Sequence, residues 1–129
     1  IMINKLFDSK DNTIIPKWFL RQAGRHIPEY FTIRNKHNNF IDFCFDEESI
    51  IDATILPLKY YNVDAAILFS DILLLPYSLG QEVIFKKGEG PLLGQLDLNK
   101  HFFDKQINLN SLKPIKNAIS KIKKIISPK

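Results

Sequence analysis

Apolar residues fall into short unbroken runs and into stripes of helical period, with polar clusters between them. Residues 14–20, Ile-Ile-Pro-Lys-Trp-Phe-Leu, are rich in β-formers and give way to the polar, glycine-containing Arg21-Gln22-Ala23-Gly24-Arg25. That predicts a short strand running into a loop. Pro28 and Glu29 open a helical stretch through Tyr30, Ile33 and Arg34, proline fitting a first turn because its missing N–H would go unpaired there. The Asn-rich residues 35–39 end it. Asp46 is a good N-cap for a second helix with Glu47 and Glu48 in its first turn, where acids suit the helix dipole. Ile50, Ile51, Thr54, Leu58 and Tyr61 supply its buried stripe, and Pro57 is expected to kink or interrupt it.

Residues 63–69, Val-Asp-Ala-Ala-Ile-Leu-Phe, form the clearest predicted strand, a nearly continuous apolar run of the kind expected when both faces of a parallel strand are covered. It ends in Ser70-Asp71. A shorter strand at 82–85 leads into the loop Gly88-Glu89-Gly90-Pro91. Its spacing matches neither G-x-G-x-x-G nor the P-loop, so it reads as a turn. A last helix is predicted from about Leu112 to Ile126, capped by Ser111, with Leu112, Ile115, Ile119, Ile122 and Ile126 on one face and lysines on the other. Strands alternating with helices make an α/β pattern in a single domain, without repeat or linker.

In parallel α/β architectures ligands bind at the carboxyl ends of strands. Arg21 and Arg25 follow one such end and Asp71 another. A carboxylate there is costly to desolvate without donors, so Asp71 either meets a ligand or caps the turn through Ile72 to Leu75.

Charge sharpens this picture. All three arginines, Arg21, Arg25 and Arg34, fall in one stretch, whereas the lysines are spread along the chain. Guanidinium is planar, permanently charged and forked, and it grips a carboxylate or phosphate through two parallel hydrogen bonds. The three are either surface ion-pair partners or, beside Gln22 and Gly24, a site for a polyanionic ligand. The chain has 129 residues, 45% of them hydrophobic, and a net charge of +4, which describes a globular domain rather than a disordered chain. Cys44 is the only cysteine, excluding an internal disulfide and pointing to a cytosolic compartment. The three histidines are not spaced as metal ligands. No run approaches the ~20 apolar residues of a membrane span.

The blocks Pro16-Lys17-Trp18-Phe19-Leu20-Arg21-Gln22-Ala23-Gly24-Arg25-His26-Ile27-Pro28-Glu29-Tyr30 and Asp64-Ala65-Ala66-Ile67-Leu68-Phe69-Ser70-Asp71-Ile72-Leu73 resemble the two N-terminal signatures of the uroporphyrinogen decarboxylase family. Thr54-Ile55-Leu56-Pro57-Leu58, Leu79-Gly80 and Gly88-Glu89-Gly90-Pro91 fit the same family in order. The resemblance runs from about Pro16 to the end of the chain and accounts for the first third or so of a complete member. It implies the N-terminal part of a (β/α)8 TIM barrel, residues 1–129 lying within one barrel domain. The implied reaction is decarboxylation of the four acetate side chains of uroporphyrinogen III to give coproporphyrinogen III, on the route to haem, with no metal or organic cofactor. A cytoplasmic location and a homodimer for the complete protein are implied as well.

Carried over residue by residue, the resemblance assigns Arg21, Gln22, Ala23, Gly24 and Arg25 to the substrate-binding loop. Arg34 becomes a further substrate arginine, and Asp71 the aspartate that meets the pyrrole nitrogens, with Asp71 and Arg21 as the candidate catalytic pair. His26 departs from the tyrosine usual in the family. The family's later substrate tyrosine and histidine have no counterpart in this chain, and a barrel needs about 200 residues or more. The 129-residue chain alone is therefore expected to be inactive, with exposed strand edges. Two other readings are a non-catalytic remnant that binds anionic tetrapyrroles and a basic nucleic-acid-binding module. The second is motivated by an isoelectric point near 9.2 and the lysine-rich last helix, and the lack of an aromatic-basic stripe counts against it.

Overall fold

A computed structural model describes residues 15–86, 89–95 and 110–127. Ile14 of the first predicted strand and Gly88 of the glycine-containing turn lie outside the described residues. In chain order the elements are α1 (Glu29–Arg34), α2 (Phe40–Phe45), α3 (Glu47–Tyr60), α4 (Leu74–Ser78), β1 (Val83–Phe85), β2 (Pro91–Leu93) and α5 (Lys113–Ile126). Among the described residues no helix is long and apolar enough to cross a membrane.

Helix α3 is the scaffold. The Asp46 carboxylate accepts the Ser49 N–H at 2.9 Å, satisfying one of the donors a helix start leaves free. The buried residues Ser49, Ile50, Ile51, Ala53, Thr54, Leu56 and Pro57 form more than the single predicted stripe, because α3 packs on both sides. On one side Ala53 and Leu56 join Ile27, Tyr30, Ile33 and Phe43, with Phe40, Tyr61 and Phe69 packed against them. On the other, Ile50 and Ile51 meet Ala118 and Ile122 of α5. Lys121 of α5 reaches back to Glu47 at 2.7 Å and Glu48 at 3.0 Å, so the first turn of α3 holds the basic face of α5. Pro57 does not interrupt α3, which runs on to Tyr60; proline in a final turn forfeits only one backbone bond.

Removing the Asp46 cap costs about 1 kcal/mol in a typical helix, and urea unfolding of Asp46→Ala should show a loss of that size. Burial alone would push this carboxyl up, but hydrogen bonds from the Ser49 hydroxyl and N–H, then His37 and Lys36, hold it below the ordinary aspartate range. Its charge-linked stabilisation is therefore complete above the unfolded-state value and is lost as pH falls through the folded one. Asp46→Ala should flatten the acid limb of a stability-versus-pH curve, and an unchanged limb would remove Asp46 from it.

The structure departs from the predicted elements in four places. A short helix, α2, stands where no element is predicted; Asn39 caps it by accepting the Asp42 N–H at 2.8 Å. Helix α5 starts with Leu112 at the cap position and no side-chain cap bond, not with Ser111 as cap. Residues 15–20 and 63–69 form no strand. The sheet among the described residues is the antiparallel β1–β2 pair, with Val83 opposite Leu93, Ile84 opposite Leu92 and Phe85 opposite Pro91.

The reason the two apolar runs carry no ladder lies in what bonds them. They run side by side in the same direction, and Asp64 N–H donates to Lys17 O at 2.8 Å. The neighbouring bonds come from side chains: the Asp64 carboxylate accepts the Lys17 N–H at 2.8 Å, and the Gln22 amide makes the two bonds that a ladder residue would make. Side chains satisfy these groups without propagating a ladder.

Candidate functional site

The segment 63–69 is fixed to α3 through Thr54, whose buried hydroxyl donates to Ile50 O at 2.7 Å and accepts the Phe69 N–H at 2.9 Å. The Phe69 ring then packs on Phe43, with ring centres 4.7 Å apart. Two residues on, Asp71 is half-buried. Its Oδ1 accepts the Leu73 N–H at 2.8 Å and its carbonyl the Leu74 N–H at 3.2 Å, so Asp71 holds the turn that precedes α4, whose own cap position is Leu73 with no side-chain bond. Among the described residues no hydrogen bond is made to its Oδ2.

Arg34 closes α1 half-buried rather than on the open surface. Its Nη1 donates to His37 O at 2.9 Å, and its guanidinium lies 5.6 Å from the ring centres of both Phe40 and Phe43. The His37 ring is held in turn by the buried Ser49 hydroxyl at 2.8 Å. Arg34 and Asp71 bear in opposite senses on the buried Cys44 thiol. Burial pushes Cys44 up to about 12, the Asp71 carboxylate pushes the same way, and Arg34 opposes both. Such a thiol stays protonated at neutral pH and is no nucleophile.

The loop from Arg21 to Arg25 leads into α1. Arg21 and Arg25 are exposed, while Ala23 and Gly24 are half-buried. Gly24 has φ +151°, which a Cβ would strain, and its carbonyl accepts the Ile27 N–H at 3.1 Å, turning the chain into α1. Burial raises the Tyr30 hydroxyl, with Cys44 adding to the effect and Arg34 and Arg25 opposing it. Arg25 and Arg34 thus both act on Tyr30, as Arg34 and Asp71 both act on Cys44. His26 is exposed and stacks on Tyr61 at 6.3 Å.

Sequence reasoning groups Gln22 with the ligand-contacting residues; the structure turns it inward. It is 3% exposed, its Nε2 donates to Ala65 O at 2.8 Å, and its Oε1 accepts the Ile67 N–H at 3.0 Å. Arg21, Arg25, Arg34 and Asp71 line none of the hollows of about 580, 390 and 260 Å³. The largest of these lies at the other end of 63–69 from Asp71, between Ile55, Leu58, residues 63–66, Ile125 and Ile126. Sequence reasoning also misses Asp64 and Thr54 as the clasps that hold 63–69. The one signal for each is a polar residue inside an apolar pattern.

The uroporphyrinogen decarboxylase family model matches residues 3–129. The chain belongs to the uroporphyrinogen decarboxylase family. It is 46% identical over 124 residues to the uroporphyrinogen decarboxylase of Rickettsia rickettsii (strain Sheila Smith), covering 95% of this chain and 35% of that protein. The Rickettsia africae relative of the same name is 47% identical over 115 residues, covering 88% and 33%. The one from Rickettsia canadensis is 44% identical over 124 residues, covering 95% and 36%. The chain therefore spans about a third of the length of the uroporphyrinogen decarboxylases it matches. The family is the one that the blocks 16–30 and 64–73 resemble.

Proposed function

We propose that residues 1–129 supply the N-terminal part of a single (β/α)8 barrel of a cytoplasmic, homodimeric uroporphyrinogen decarboxylase, and that they carry its grip on the carboxylated macrocycle. Four acetates of uroporphyrinogen III become methyl groups and coproporphyrinogen III leaves, without metal or organic cofactor. In each cycle a proton adds to pyrrole carbon, the bond to the carboxyl carbon breaks, and its electron pair neutralises the iminium while CO2 departs. A second proton converts the exocyclic methylene to methyl, and the ring carbon gives its proton back. The macrocycle is its own electron sink, so the protein supplies positioning and charge.

Arg21 and Arg25, exposed on a loop, neutralise and orient acetate or propionate carboxylates, and Arg34 adds a third guanidinium. Asp71 offers its Oδ2 to the converging pyrrole N–H groups and stabilises the positive charge that develops there. Opposite charges about 4 Å apart attract by roughly 4 kcal/mol at an effective dielectric near 20, before desolvation. Arg21 is a proton donor only through substrate or water, since a guanidinium does not deprotonate by itself. Ala23 and Gly24 bring the loop backbone close to the ligand.

The observation that carries this reading is the arginine loop bonded through Gln22 to the segment that ends at Asp71, with the Arg34 guanidinium over the Phe43 ring on which Phe69 of that segment packs. Uroporphyrin III, the stable oxidised octacarboxylate, is the probe. Replacing Arg21 and Arg25 together by Gln should weaken its binding to the chain at least tenfold, read by porphyrin fluorescence, with the thermal midpoint unchanged because both side chains are exposed. Equal affinity of the double variant and the parent would end the reading. Displacement of the porphyrin by duplex DNA would favour the basic-module alternative instead, against which stands the use of Lys121 by Glu47 and Glu48.

A further inference from the structure

We infer that Gln22 is a positioning residue whose side chain acts as a surrogate strand rung, setting Arg21 and Arg25 at a fixed place relative to Asp71. In a parallel ladder one residue bridges two groups on the neighbouring strand, its C=O accepting the N–H of residue j+1 and its N–H donating to the C=O of residue j−1. The Gln22 amide makes that pair of bonds around Ala66: Nε2 to Ala65 O at 2.8 Å, and Ile67 N–H to Oε1 at 3.0 Å. It does so across 43 and 45 residues of sequence, from a side chain that is 3% exposed.

The geometry has a consequence for the loop. Using its side chain leaves the Gln22 backbone free to turn, and the chain does turn within two residues, at Gly24 with φ +151°. A backbone rung would hold residues 21–23 to the line of the strand; the amide rung anchors the loop at one point and lets Arg21 and Arg25 flank it, both exposed. The anchored segment continues through the Phe69 N–H bond to Thr54 and ends at Asp71. Losing the rung would leave a part-buried C=O and N–H without their present partners, a cost that favours a displaced loop. That its effect is felt in ligand affinity rests on the tetrapyrrole reading above; the rung itself does not.

The test therefore has two readouts on the full chain. Gln22→Met keeps side-chain length and removes both bonds. Hydrogen exchange at the Ile67 amide should speed up at least tenfold relative to the Ile122 amide of α5, used as internal reference. Uroporphyrin III affinity should fall about five- to tenfold. In the background lacking both loop arginines, Arg21→Gln with Arg25→Gln, adding Gln22→Met should change affinity by less than twofold. A residue acting through the arginines has nothing left to position, whereas a direct contact would show its full effect. If Gln22→Met unfolds the whole chain, Gln22→Asn, which keeps the amide on a shorter arm, reads the same two quantities. Unchanged Ile67 exchange overturns the rung. Faster exchange with parental affinity, or full additivity with the arginine changes, overturns the positioning role. Faster exchange in a parent that binds no uroporphyrin leaves the rung standing and sinks the ligand reading.

Discussion

Phe43→Ala should lower the folding free energy by about 3–5 kcal/mol, the range for emptying a buried phenylalanine site. Phe43 is 0% exposed and sits where several elements meet. Its ring lies 4.7 Å from Phe69, 5.8 Å from Tyr30, 6.0 Å from Phe40 and 5.7 Å from the His37 ring. It also lies beneath the Arg34 guanidinium. Those neighbours are themselves tied down, Phe69 through Thr54 and His37 through Ser49, so they cannot collapse into the space left behind. Domains of ordinary stability have about 5–15 kcal/mol in hand, and a loss of this size takes a large share of it. Urea unfolding followed by circular dichroism measures the change. Ile125→Ala is the control: at 57% exposure it should shift stability by no more than about 0.5 kcal/mol. A Phe43→Ala change below about 1 kcal/mol would show that the cluster of Ile27, Tyr30, Ile33, Ala53 and Leu56 does not depend on this ring.

What the sequence reveals and what it conceals divide along a physical line. The Asp46 cap and the amphipathic α5 depend on residues near one another in the chain, and both are readable: Ile122 is buried and Ile115 and Ile126 half-buried, as their spacing predicts, although Ile119 of the same predicted face is exposed and Ala118 is buried instead. Helix α2 escapes because Asn35 and Asn39 look alike as helix stoppers, while only Asn39 turns its side chain onto the following N–H. The apolar runs at 15–20 and 63–69 look like strands because Ile, Val and Phe suit a pleated surface. Whether they form a ladder is decided by partners 40 or more residues away, and here side chains of Asp64 and Gln22 occupy those places. The arginines and Asp71 stand out by residue type alone. That Arg34 lies half-buried over two rings, and that Gln22 faces inward, depends on tertiary packing that no local spacing encodes.

Asp71→Asn should separate the two tasks this residue performs. In the turn before α4 it accepts the Leu73 N–H through Oδ1, and asparagine accepts such a bond as aspartate does. The turn into α4 should survive, and the thermal midpoint should stay within about 2 °C of the parent. The charge is what disappears. An amide presents one acceptor and two N–H donors, so it can no longer balance positive charge spreading over pyrrole nitrogens, and its donors oppose theirs. In a chimera joining this chain to the remainder of the Rickettsia rickettsii relative, Asp71→Asn should lower turnover of uroporphyrinogen at least tenfold, a barrier increase of about 1.4 kcal/mol. That is a modest fraction of the roughly 4 kcal/mol estimated for one charge pair, as expected when desolvation offsets part of the attraction. If KM stays put while kcat falls, the carboxylate acts on charge that develops during the reaction. Near-parental turnover with an intact fold would reduce Asp71 to holding the turn before α4 and shift the electrostatic task to another group.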